Sequence, residues 1–152
     1  PGMKGKKVAP EVWLKAGVLW EVHEGFEQML GLQPHGTNFC LPFHDRLVGA
    51  VSLPAVHGGA TAAALALAAC GHAATTVDRS AVWSPLTVSV HYLRAVRAEP
   101  LWLQPILRKP GAHSCVIGVA ATQSDPGKEV AHAECLLVQR NADTGGQPRE
   151  PA

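Results

Sequence analysis

A histidine and two glycines, His57, Gly58 and Gly59, stand directly before an alanine-rich run, ATAAALALAAC, that ends at Cys70. Alanine and leucine favour helix, so this run predicts a helix from about Gly59 to about Gly71. The first N–H groups of a helix lack intrahelical partners, and the peptide dipoles leave partial positive charge there. Glycine lets a ligand approach the backbone closely. These residues predict a site for a carbonyl oxygen or oxyanion, although His57 could equally be an ordinary hydrogen-bonded residue.

The elements that must position this site change from helix to strand after the alanine-rich run. The predicted helix is apolar on every face, so we expect a sheet to enclose it. Four segments then alternate as strands do, and their short connections predict an antiparallel meander: LTVSVHYLRAV, LWLQPILRK, HSCVIGVAATQS and EVAHAECLLVQR. Pro105 should lie at an edge or bulge of the second strand. Pro126 and Gly127 predict a turn between the last two strands, with positive φ at Gly127.

Before the histidine, the sequence predicts one helix and one strand. Apolar residues repeat with helical spacing over about 10–30, and Gly31 should end that helix. TNFCLPF is a short strand that Pro42 ends early or confines to an edge. The final residues, 141–152, lack periodic apolar positions and are expected to be disordered. We therefore predict one domain over 1–140 and a tail over 141–152.

Composition excludes several classes of function. The 13 basic and 12 acidic residues leave a net charge of +1, so we expect no nucleic-acid partner. No apolar run approaches the roughly 20 residues of a membrane span, and the first residues lack the apolar core of a signal peptide, which predicts a cytoplasmic protein without membrane contact. The cysteines form no C-x-x-C pair and are interpreted as reduced core residues: Cys40, Cys70, Cys115 and Cys135. The eight histidines show no metal-binding spacing, so no metal is expected.

Three segments together resemble the hotdog-fold acyl-CoA thioesterases of the phenylacetate-degradation (PaaI-type) group. They are LPAVHGGATAAALALAA, LTVSVHYLRAVRAEPLWLQPILRKPG and KEVAHAECLLVQR, and the resemblance extends over roughly 36–140. It implies an α+β fold in which a curved antiparallel sheet of about five to six strands wraps a central helix. It also implies a homo-oligomer, a dimer or a dimer of dimers, with sites at the subunit interface. Coenzyme A would enter only as part of the substrate, with no separate cofactor.

The resemblance also implies roles for individual residues. The backbone N–H of Gly59, supported by His57 and Gly58, would polarise the carbonyl of an acyl-CoA thioester. By resemblance, the residues expected to bind coenzyme A are Arg94, Arg108, Lys109, His113 and Ser114.

One expected residue is missing. Members of the group carry an aspartate or glutamate nine positions after the histidine, and here that position is Ala66. Hydrolysis needs a base or nucleophile near the carbonyl. Possible substitutes are Asp45 in the loop before the motif, Asp78 past the helix, and Cys70 one turn beyond Ala66. Two functions therefore stay open. One is an acyl-CoA thioester hydrolase; the other is a non-catalytic acyl-CoA-binding protein, or one subunit of a heteromeric thioesterase whose partner supplies the carboxylate.

Overall fold

The computed structural model describes residues 30–50 and 52–140. The helix predicted over about 10–30 lies outside these residues apart from Leu30, and the tail predicted over 141–152 lies outside them as well. Gly31 follows Leu30 with a left-handed φ of 68°, which suits a glycine at the end of a helix. The strands are β1 (Gln33–His35), β2 (Asn38–Leu41), β3 (Val48–Ala50), β4 (Leu53–Val56), β5 (Val82–Tyr92), β6 (Leu101–Lys109), β7 (Ser114–Thr122) and β8 (Glu129–Arg140), with helix α1 (Gly58–Thr76) between β4 and β5.

One helix packs against one curved antiparallel sheet. The sheet has six strands in the order β1-β2-β6-β7-β8-β5, while β3 and β4 pair separately as a small ribbon. Helix α1 contacts β2, β5, β6, β7 and β8. This arrangement confirms the predicted α+β fold with a sheet of five to six strands around a central helix.

The core lies between α1 and the inner face of the sheet. Period-two alternation places the buried side chains of β6, β7 and β8 toward the helix, including Leu103, Ile117 and Cys135. The helix contributes mostly small side chains to this core, so the sheet can approach the helix backbone closely. At Gly71 a Cβ atom would lie 2.7 Å from the ring of Phe39. Gly71 was predicted to end the helix, but α1 continues to Thr76. The lack of a side chain at Gly71 instead makes room for the Phe39 ring.

The predicted meander is wrong at one connection. β6, β7 and β8 are consecutive neighbours, but β5 pairs with β8 at the far edge and does not touch β6. Residues 93–100 cross the end of the sheet between them. The buried side chain of Gln123 holds this crossing, since its Oε1 accepts from the Arg97 N–H at 3.0 Å and its Nε2 donates to the carbonyls of Arg97 and Glu99. A short loop forces two strands to be neighbours, but the connection between Tyr92 and Leu101 is long enough for β5 to reach the far edge.

Two turn and proline predictions have different outcomes. β2 pairs with β6 only as far as Leu103, so Pro105 lies on a part of β6 that is open on that side, as predicted for an edge. The turn at Pro126 and Gly127 is present, but Gly127 does not adopt a left-handed φ. The Asp125 carboxylate accepts the Gly127 N–H at 3.0 Å and shapes the turn instead.

The cysteine prediction is confirmed: all four thiols are reduced and buried. Burial raises the pKa of Cys40 and of Cys115, and burial together with the nearby Glu134 charge raises the pKa of Cys135 to about 11. The thiols of Cys40, Cys115 and Cys135 are therefore protonated at neutral pH and poor nucleophiles. Among residues 30–50 and 52–140, no helix is long and apolar enough to cross a membrane.

Candidate functional site

The turn from β4 into α1 presents His57, and neighbouring backbone groups hold it in place. The His57 N–H donates to the Leu47 carbonyl at 2.7 Å, and the Val56 N–H donates to the Val96 carbonyl at 2.8 Å. Gly49 leaves room for the imidazole, since a Cβ there would lie 2.8 Å from His57 Cδ2. The helix start is thus anchored to the segment before β3 and to the crossing after β5.

The predicted carbonyl-binding group is in place but already has a partner. The Gly59 N–H donates to His57 Nδ1 at 3.0 Å, so the ring acts as an N-terminal cap of α1. Because Nδ1 accepts, a neutral His57 carries its proton on Nε2. Within the described part of the chain, the N–H groups of Gly58 and Ala60 have no hydrogen-bond acceptor. The exposed helix start therefore offers two open donors and a third that His57 covers.

Tyr92, which the sequence analysis did not single out, fixes the helix start from the sheet. Its O–H donates to the Gly58 carbonyl at 2.6 Å, and a Cβ on Gly58 would lie 3.5 to 3.6 Å from the phenol. Tyr92 is the only tyrosine of the chain and ends β5 on the face that looks toward α1. The signal in the sequence was its position in VHYLRA, on the same strand face as Val88 and Val90.

The helix is not enclosed on every face, contrary to the prediction. The side chains turned away from the sheet are only partly buried: Ala62, Ala63, Ala66 and Leu67. Ala66 lies about 10 Å along the helix axis from Gly59, given a rise of about 1.5 Å per residue. The position of the expected acid therefore lies on the uncovered face of α1, and α1 carries no acidic residue.

Of the three substitute bases, only Asp45 lies near His57. Asp45 is exposed and begins a single 3-10 turn, Asp45–Leu47, whose last carbonyl accepts the His57 N–H. Only Arg46 separates Asp45 from Leu47, so the Cα atoms of Asp45 and Leu47 are at most about 7 Å apart.

Asp78 and Cys70 are placed elsewhere. Asp78 follows the other end of α1, roughly 28 Å along the axis from Gly59. Its carboxylate accepts from the Ser80 hydroxyl at 2.6 Å, the Ser80 N–H at 2.8 Å and the Gln139 amide at 3.3 Å. These hydrogen bonds, chiefly those from Ser80, lower the pKa of Asp78 and identify it as a structural residue. Cys70 is 1% exposed and belongs to the core between helix and sheet.

The five residues expected to bind coenzyme A are divided between the two ends of the sheet. Arg94 lies near the start of α1 and donates to the Glu129 carbonyl at 2.6 Å. The other four surround the β6–β7 hairpin at the opposite end: Arg108, Lys109, His113 and Ser114. There the Gln139 N–H binds the His113 carbonyl, and the Gln139 side chain binds Asp78 beyond the end of α1. A single chain does not bring the two groups together.

Comparison with known proteins agrees with this architecture. A family model described as the acyl-CoA thioesterase N-terminal domain matches residues 49–138. The conserved protein PA5202 from Pseudomonas aeruginosa superposes with a TM-score of 0.69 at 19% identity, covering 82% of this chain and 97% of that one. No curated protein matches significantly.

Two further solved structures share the fold. The E. coli PaaI protein from the phenylacetic acid degradation operon gives a TM-score of 0.65 at 13% identity, covering 76% of this chain and 83% of that one. The BH2602 protein from Bacillus halodurans, solved with CoA, gives 0.66 at 17% identity, covering 75% and 74%. At these identities the likeness confirms the hotdog fold alone.

Proposed function

Because this chain belongs to the acyl-CoA thioesterase family, we propose that it hydrolyses acyl-CoA thioesters at the start of α1. The observation that carries the proposal is the exposed helix start, where the N–H groups of Gly58, Gly59 and Ala60 precede the first intrahelical bond. Tyr92 and Leu47 hold this turn from two sides, so its donors are fixed before a substrate arrives. The BH2602 structure with CoA supports the substrate class. Release of free coenzyme A from short, medium and aromatic acyl-CoAs tests the proposal directly.

In the proposed reaction, the thioester carbonyl oxygen replaces His57 Nδ1 as the acceptor of the Gly59 N–H. The exchange is cheap, because a single exposed hydrogen bond contributes only about 1 kcal/mol. As water attacks, charge develops on the carbonyl oxygen, and one well-placed N–H stabilises it by about 3 kcal/mol. The C–O bond to water forms, the C–S bond breaks, and the proton from water goes by way of a base to the departing coenzyme A thiolate. His57 thus caps the donor when no substrate is bound.

The base in this proposal is Asp45. It is exposed, and its side chain has no hydrogen-bond partner among the described residues. Most other described carboxylates already have partners: Asp78 binds Ser80, Glu99 binds Ser124, Asp125 binds Lys128 and Glu129 binds His132. Glu134 lies on the outer face of β8, away from α1. Asp45 is therefore the carboxylate best placed to activate water beside His57.

We expect Asp45→Asn to lower kcat by about 10²-fold, since a general base contributes about 10²- to 10⁴-fold. KM should change little, because the amide keeps the size of the side chain. Asp125→Asn, in the β7–β8 turn, is the matched control and should leave the rate unchanged. An Asp78→Asn variant that loses activity while Asp45→Asn keeps it would contradict the assignment. Coenzyme A release under saturating acyl-CoA is the measurement.

The complete site in this proposal requires a second copy of the chain. β5 is an edge strand with exposed apolar side chains, including Leu86 and Val88, and one face of α1 is uncovered beside it. An antiparallel copy placed against this edge would bring its β6–β7 hairpin toward the start of α1. Arg94 of one chain would then share a ligand with Arg108 and Lys109 of the other.

Light scattering on the purified chain should give a mass of at least twice the 16.0 kDa of one chain. A dimer and a dimer of dimers would each agree with the shared site, because both can place the Arg94 end of one chain beside the Arg108 end of another. A monomer at micromolar concentration that still hydrolyses acyl-CoA would contradict it.

A second candidate function rests on one observation, the absence of a carboxylate along α1. With Ala66 at the position of the acid, the chain would bind acyl-CoA without turnover, or receive the carboxylate from a different subunit. The Ala66→Asp experiment below separates this function from hydrolysis.

A further inference from the structure

Two histidines meet on the outer face of the sheet, away from the helix. His91 of β5 and His132 of β8 are directly opposite in the strand register. Their rings stack with centroids 4.8 Å apart and planes 30° apart. The neighbouring residues of both strands, Tyr92 and Ala131, are turned toward α1, so alternation places both imidazoles on the opposite, solvent-facing side. Neither ring belongs to the site at the helix start.

A carboxylate already orients one of these rings. Glu129 Oε2 lies 3.3 Å from His132 Nδ1, and both side chains are about half exposed. A hydrogen bond from Nδ1–H to a carboxylate leaves the Nε2 lone pair of His132 available to a ligand. Metal-binding histidines characteristically have such a carboxylate, carbonyl or water behind them.

We propose that His91 and His132 form a two-histidine site for a divalent transition-metal ion such as Zn²⁺, Ni²⁺ or Cu²⁺, with Glu129 orienting His132 and water completing the coordination. Imidazole is a preferred ligand of these ions. The site is open and two-liganded, since residues 30–50 and 52–140 contain no cluster of three or more metal-binding side chains in ligand geometry. The charges around it are the carboxylates of Glu129 and of Glu134, which follows His132 on the same face, and the guanidinium of Arg94. The ion would join the edge strand β5 to β8.

Calorimetric titration of the untagged full chain with Ni²⁺ or Zn²⁺ tests the site. We expect one ion per chain, and a rise in melting temperature when the ion is present, because an ion that binds only the folded chain stabilises it. His132→Gln and His91→Asn should each abolish this binding. Glu129→Gln should weaken it by about 10- to 100-fold, the usual effect of removing a group that orients a ligand.

His35→Gln is the matched control, because His35 is an exposed strand histidine that contacts Trp102 far from the pair, and it should bind metal like the parent. Circular dichroism checks that each surface variant folds. Absence of binding to the parent, or equal affinity in His132→Gln, would overturn the proposal. The readout is binding, so it does not depend on whether the chain hydrolyses acyl-CoA.

Discussion

Gly59→Pro should lower kcat for acyl-CoA hydrolysis by about 10²- to 10³-fold, the usual effect of removing one oxyanion donor. Proline has no N–H, but it is accepted in the first turn of a helix, and the preceding Gly58 has no Cβ to clash. The fold should survive, because α1 is held by its packing against five strands. Loss of the His57 cap costs only about 1 kcal/mol of stability. Coenzyme A release and a thermal melt of the same variant measure the two effects.

Two companion variants make this experiment decisive. Gly59→Ala keeps the N–H but places a Cβ 3.0 Å from His57 Nδ1, so it reports crowding of the ring alone. Ala60→Pro removes the next N–H, which also has no acceptor among the described residues, and is likewise preceded by a glycine. If Ala60→Pro abolishes activity and Gly59→Pro does not, the donor is Ala60 and our assignment is wrong.

Ala66→Asp is expected to raise kcat by about 10²-fold or more, because it supplies a carboxylate at the position where the resemblance implies the acid. Asp45 lies on an exposed turn of three residues, whereas position 66 lies in the middle of a 19-residue helix. The substitution should cost little stability, since Ala66 lies on the face that the sheet leaves uncovered. Initial rates of coenzyme A release from the same acyl-CoA panel measure the gain.

Ala63→Asp is the control for this gain. It adds the same charge to the same uncovered face one turn earlier and should not raise the rate. An inert parent together with an active Ala66→Asp variant would mean that the chain binds acyl-CoA without hydrolysing it, as in the second candidate function. No gain in Ala66→Asp, with acyl-CoA still bound, would mean that the site does not place position 66 near the thioester.

The elements that depend on neighbouring residues could be predicted from the sequence. The predicted strand LWLQPILRK has the same first and last residues as β6, because apolar and polar side chains alternate along it and the chain turns after Lys109. Pro42 directly follows the last residue of β2, as its missing N–H requires. The alanine-rich run is helical, but its length was underestimated, because Gly71 is needed for the contact with Phe39 and not for a helix end.

The pairing of distant segments could not be predicted in this way. The position of β5 beside β8 depends on the crossing between β5 and β6. Gln123 holds this crossing through hydrogen bonds to residues 24 to 26 positions away in the sequence. The division of Arg94 from Arg108 between the two ends of the sheet follows from that strand order. Sequence spacing gave no indication of a metal site, since His91 and His132 are adjacent only because their strands pair.

Local features of the chain were therefore enough to establish the fold class, the helix with its glycine-rich start, and the absence of an acid at position 66, because helix propensity, strand alternation and residue identity are local. The groups that surround the start of α1 depend on contacts between distant segments. The tertiary structure placed Tyr92 on the Gly58 carbonyl across 34 residues, brought the turn at Asp45 beside His57, and moved Asp78 to the other end of the helix. Each of these depends on which distant backbone and side-chain groups satisfy one another when the core closes, and no local pattern contains that information.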